Sequence, residues 1–92
     1  MTDVEVRGLG GLRFGVDVVA GEQVRTSHIV TVPEDLLDDL GLGPEDAERL
    51  VRESFAFLLE RELPTQILPE FSLDEIGRYF PAYRSELATR MT

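Results

Sequence analysis

The stretch from 44 to 62, PEDAERLVRESFAFLLERE, repeats apolar side chains at the period of an α-helix. At about 100° per residue, Ala47, Leu50, Val51, Phe55, Phe57, Leu58 and Leu59 fall on one arc of about 200°. Glu45, Asp46, Arg49, Glu53 and Glu60 fill the remainder. A stripe that wide needs a sheet or several helices to cover it. The chain has 92 residues. One domain of that length buries roughly 60–65% of its unfolded surface, so the stripe must lie in a single modest core.

The covering layer is legible upstream. Residues 12–19 alternate, with Leu12, Phe14, Val16 and Val18 on one side and Arg13, Gly15 and Asp17 on the other. Residues 24–32, VRTSHIVTV, are rich in β-branched types. Their period places Val24, Thr26, His28, Val30 and Val32 on one face, and Arg25, Ser27, Ile29 and Thr31 on the other. Residues 4–7 supply a further short strand, and the glycines around Leu9 a flexible turn. The spacing predicts an antiparallel hairpin or a three-stranded meander within 4–32, with exposed sheet edges.

The helical half begins at Pro33, suited to a first helical position. Leu36, Leu37 and Leu40 give helix 33–41 a narrow apolar face, and Gly41 stands as its left-handed stop with Leu42 folding back onto Leu37. Pro44 opens the main helix, 44–62, with i,i+4 pairs Glu45–Arg49 and Glu48–Arg52 along it. Two prolines make 64–71 a crossing segment pinned by Ile67, Leu68 and Phe71. Ser72 and Glu75 form a capping box for a third helix, 73–80, with Phe71 and Ile76 in staple positions. Residues 84–92 read either as a weak helix through Leu87 and Met91 or as a frayed tail. The fold class expected is α+β: one domain, 1–92, with an N-terminal hairpin or meander packed against three C-terminal helices.

The net charge of −9 is concentrated. Glu34, Asp35, Asp38, Asp39, Glu45, Asp46 and Glu48 occupy one window that contains no base. Elsewhere eleven acids face nine arginines, since all 9 cations are arginine. Phosphate contacts need clustered cations, so this balance disfavours nucleic acid as a partner. A regulator that binds DNA, or an acidic surface that mimics it, stays a minor alternative. The chain has no cysteine. That excludes disulfides, thiol catalysis and thiolate metal sites. The acidic window lacks the loop spacing of a calcium site, and one histidine cannot furnish a zinc site, so no metal and no cofactor is expected. The start of the chain, MTDVEVRG, has no leader pattern, and no stretch approaches the ~18 apolar residues of a membrane span. A cytoplasmic, bacterial-type protein without membrane contact is expected.

His28 sits mid-strand on the apolar face, where local hydrogen bonding is the ordinary fate of a buried imidazole. Ser54 lies inside the apolar arc of the main helix, and its hydroxyl is expected to return to a backbone carbonyl one turn earlier. These readings lean against an enzyme. The alternative is a small-molecule or enzymatic cleft near His28, Tyr79 and Tyr83.

Two resemblances accompany this reading. Residues 30–46, VTVPEDLLDDLGLGPED, resemble the signature of swapped-hairpin transcription factors of the AbrB type through Val30, Val32, Pro33, Leu40, Gly41 and Leu42. That family implies a glycine-aspartate turn into another strand, whereas Pro44-Glu45-Asp46 here opens a helix, and the family's basic DNA-contacting residues are absent. The segment SFAFLLERE, Ile67-Leu68 and FSLDEIGRYFPAY from Phe71 to Tyr83 is similar to a group of small uncharacterised bacterial proteins. It implies a natural domain and no particular chemistry. The function expected is a non-catalytic acidic interaction module. Its partner would be a basic protein surface, bound through residues 34–48, with homodimerisation through a sheet edge as a further expectation.

Overall fold

A computed structural model describes residues 2–91. Strands β1 (Thr2–Gly10), β2 (Arg13–Ala20) and β3 (Val24–Thr31) form an antiparallel meander. The fourth strand, β4 (Glu70–Ser72), lies beside β3 and runs parallel to it. The sheet order is therefore β1-β2-β3-β4. Helices α1 (Glu34–Leu40) and α2 (Ala47–Leu59) follow β3, and α3 (Ile76–Tyr79) and α4 (Tyr83–Arg90) follow β4. The class is α+β with an N-terminal meander, as the periodicity predicts.

The alternation in the strands decides which face the helices cover. Phe14, Val16 and Val18 of β2, and His28 and Val30 of β3, are buried. Arg13, Arg25, Ser27 and Thr31 on the other face are exposed. The tight β1–β2 connection needs positive φ at both Gly10 and Gly11, 106° and 59°, which a residue with a Cβ rarely adopts. On the helical side, Leu50, Val51, Phe55 and Phe57 of α2 are fully withdrawn from water, and Leu58 nearly so. Burial of each such side chain stabilises by about 1.5–3 kcal/mol. Leu59, at the margin of the predicted arc, is only half-buried.

Helix ends follow the local chemistry closely. Gly41 takes φ 70° and donates to the Asp38 carbonyl, while Leu42 donates to that of Leu37 at 2.8 Å. Those two bonds are the Schellman closure. The Glu75 carboxylate accepts from the Ser72 N–H at 2.9 Å.

Several boundaries and contacts differ from the sequence reading. There are four α-helices rather than three among the described residues. The first turn after Pro44 is a 3-10 turn, Pro44–Asp46, so α2 proper runs from 47 to 59. Leu73–Glu75 is likewise 3-10, which shortens α3 to Ile76–Tyr79. The segment 64–71 pins itself through Ile67 and Phe71 but not through Leu68, which is 48% exposed, and its end also pairs with β3. The tail is an ordered helix through Arg90, because Tyr83 and Leu87 are buried beneath it. Arg90 then binds Glu53 of α2, Glu60 just past its end and Glu86 of its own helix. Residue 92, the end of the expected tail, lies outside the described residues. Arg49 donates to the Arg90 carbonyl, where an i,i+4 pair with Glu45 was expected. The Glu48–Arg52 pair is present at 3.8 Å.

Candidate functional site

The acidic window occupies α1, the 3-10 turn after it and the start of α2. Glu34, Asp35, Asp38, Asp39, Glu45 and Glu48 are exposed, and Asp46 is half-buried. Asp46 is spent locally, accepting from the Gly43 N–H at 3.1 Å. Arg84 of α4 reaches Asp39, and Arg52 takes Glu48. Glu34, Asp35, Asp38 and Glu45 make no ion pair among the described residues. The first-turn placement of Glu34 and Asp35 favours α1 through the positive end of its dipole, which needs no ligand. Among the described residues no cluster of three or more histidines and carboxylates converges as a metal site.

His28, Tyr79 and Tyr83 do not line one common cleft. His28 is buried, and its Nδ1 donates to the Leu68 carbonyl at 2.8 Å. A carbonyl only accepts, so Nδ1 carries a proton. Nε2 lies 2.9 Å from the Thr26 hydroxyl, which donates to it when the ring is neutral. The ring also rests against Phe55, centroids 5.5 Å apart. Nδ1 thus ties β3 to the segment that leads into β4, while Nε2 is satisfied within β3 itself. Tyr83 is wholly buried, packs edge-on to Phe57 and shares a 2.7 Å hydrogen bond with Ser54. Burial pushes its phenol up to about 12, against the opposing pull of the Ser54 bond. Ser54 therefore does not return to its own helix, because a better partner stands across the core.

Tyr79 lies elsewhere, on the rim of a groove of about 470 Å³. Leu58, Ile67, Phe71, Ile76 and Phe80 line it, and Glu62 and Glu75 are the charged groups at its wall. Tyr79 is 71% exposed and Leu68 48%, unusual values for large apolar side chains. Periodicity missed this groove because its walls come from four separate elements. The signal that was available is the pair Ile67-Leu68 between two prolines, apolar residues that no helix or strand accounts for.

On the sheet face opposite the helices, Asp17 accepts from Arg7 at 2.7 Å and from the Ser27 hydroxyl at 2.8 Å. The Ser27 bond, more than Arg7, holds the Asp17 carboxyl below its ordinary range. Arg7, Arg52, Arg61, Arg84 and Arg90 each pair with a carboxylate. No helix among the described residues is long and apolar enough to cross a membrane.

Fold and surface together define a class: a small α+β domain with a one-sided helical layer, an acidic segment and an apolar groove. No family model, curated protein or solved structure matches the chain significantly.

Proposed function

We propose that this chain is a non-catalytic interaction module that binds a basic protein surface through residues 34–48. One observation carries the reading: Glu34, Asp35, Asp38 and Glu45 stand exposed without an ion pair among the described residues, while Arg84 and Arg52 hold Asp39 and Glu48 and Arg49 is turned to the Arg90 carbonyl. Uncompensated charge of one sign speeds association with the opposite sign and selects against like-charged partners. The groups that would carry acid–base chemistry, His28 and Tyr83, are occupied in the core. The same reading includes self-association through a sheet edge, and a cytoplasmic setting suits a basic protein partner. The test is affinity capture from the native cell with the wild-type chain and with E34Q/D35N/D38N, each at low and high salt. Capture that falls with both neutralisation and salt supports the assignment. A partner whose affinity ignores both sinks it.

The groove beside Tyr79 favours a second reading, a small apolar ligand. Its volume of about 470 Å³ falls in the range of ligand sites, and its walls are largely hydrocarbon. A neutral solvatochromic dye should bind the wild type and lose affinity in Y79A. Equal dye binding by both proteins removes this reading.

A further inference from the structure

The open long edge of the sheet is β1, and the direction of its peptide groups follows from bonds made elsewhere. Ile29 N–H donates to the Pro69 carbonyl toward β4 at 2.8 Å, and Val32 N–H donates to the Leu12 carbonyl toward β2 at 2.8 Å. Odd residues of β3 therefore turn their peptide groups to β4 and even ones to β2. Phe14, Val16 and Val18 oppose Val30, His28 and Thr26, so the odd residues of β2 turn toward β1. Gly15, Asp17 and Val19 oppose Arg7, Glu5 and Asp3. It follows that Val4, Val6 and Gly8 direct their N–H and C=O groups away from the sheet. Arg52 agrees with this geometry, since it reaches the Val4 carbonyl from outside at 3.4 Å.

An edge with free ladder groups at alternate residues is a template for another strand. Its side chains say which strand. Val4 and Val6 are half-buried on the helix side, while Asp3, Glu5 and Arg7 are exposed on the other face. If two copies pair antiparallel, their outward-facing even residues must oppose one another. That leaves few registers. Centred on Val4, Asp3 meets Glu5 of the second copy twice. Centred on Glu5, Asp3 meets Arg7 of the second copy twice, but two carboxylates meet at the axis. Centred on Arg7, two guanidinium groups meet there. Centred on Val6, Glu5 meets Arg7 of the second copy, and Arg7 meets its Glu5. These are non-hydrogen-bonded pairs, where facing side chains come closest. The same register sets Val4 opposite Gly8, which has open space where a Cβ would stand.

We propose that two copies of this chain join through β1 in the antiparallel register centred on Val6, locked by reciprocal Glu5–Arg7 pairs. The result is a continuous sheet with four strands from each copy and both helical layers on one side. The Val4 carbonyl exchanges its long Arg52 bond for the Gly8 N–H of the second copy. The inference rests on the self-association reading above and names its edge and register.

The experiment is sedimentation equilibrium on the full chain across a concentration series, for wild type, E5R, R7E and an equimolar mixture of the two variants. The wild type should dimerise. E5R opposes arginines at both pairs and should raise the dimer dissociation constant about tenfold or more. R7E should do likewise, and the mixture should recover dimers, because each E5R chain then meets an R7E chain with opposite charges at both positions. R7E also loses the Asp17 pair, so the E5R result decides alone if R7E does not fold. A wild type that stays monomeric at every concentration overturns the self-association and the register together. A dimer that E5R leaves unchanged or tightens overturns the register while self-association stands.

Discussion

The hydroxyl of Ser54 lies 2.7 Å from that of Tyr83, and both side chains are wholly removed from water. The bond joins α2 to α4 at the centre of the helical layer. It turns two polar groups that would each penalise burial into one satisfied pair. The two are not equivalent when one partner is removed. Ser54 has a helical carbonyl within reach as a substitute acceptor, and Tyr83 has no such neighbour on its own chain segment.

That asymmetry predicts the order of two substitutions. S54A should cost about 1–3 kcal/mol by urea denaturation, because the phenol is left buried without a partner. Y83F should cost about 1 kcal/mol or less. The double variant should recover part of the S54A loss. Equal costs for the two single variants would show that the hydroxyls contribute symmetrically.

Alkaline stability follows from the same phenol. Its folded value, about 12, stands above the ordinary 10.0. In the unfolded chain Tyr83 ionises near pH 10, whereas in the folded chain it holds its proton longer. The contribution is therefore fully present below pH 10 and is lost as pH rises toward 12, at roughly 3 kcal/mol at most. The wild type's lead over Y83F should shrink and then reverse across that window, because Y83F has no phenol to ionise. Parallel pH profiles would exclude Tyr83 as the source.

His28 is predicted to hold the fourth strand in place. H28L removes the donor to the Leu68 carbonyl and the acceptor for Thr26. Stability should fall by about 1–2 kcal/mol. The Ile29 amide, which donates to Pro69, should exchange faster with solvent than in the wild type. Unchanged exchange at Ile29 would mean that β4 stays docked without the imidazole.

Asp17 offers a solution check on the open sheet face. S27A should raise the Asp17 titration toward its ordinary 3.8, followed by carboxyl NMR, because the serine hydroxyl is the largest influence holding it down. The folded value is depressed, so this group favours the folded state above the ordinary carboxylate range, and that contribution is lost as pH falls through the folded value. An Asp17 titration identical in S27A and wild type would place the cause elsewhere.

Much of the architecture is legible in the sequence because it depends on neighbours a few residues apart. The stripe from Ala47 to Leu58, the alternation of Phe14, Val16 and Val18, and the Gly41 stop all express local periodicity or a single backbone conformation. The acidic window is legible for the same reason, as a run of like residues on consecutive turns. The groove at Tyr79 is not, because Leu58, Ile67, Phe71 and Phe80 share no common period. Nor is the order of the tail, where Arg90 is held by Glu53 of α2 and by Glu60 just past its end.

By itself, then, the chain determined which side of the main helix and strands is apolar, that α1 stops at Gly41, and where negative charge collects. Only the tertiary structure decided that Glu70–Ser72 runs parallel to β3, that Ser54 answers Tyr83 instead of its own helix, and that the tail closes over the core through Tyr83 and Leu87. The physical reason is separation. Helix period and capping are set within one or two turns. The bond from His28 to Leu68 closes a gap of 40 residues, and such a partner is chosen by packing of the whole core.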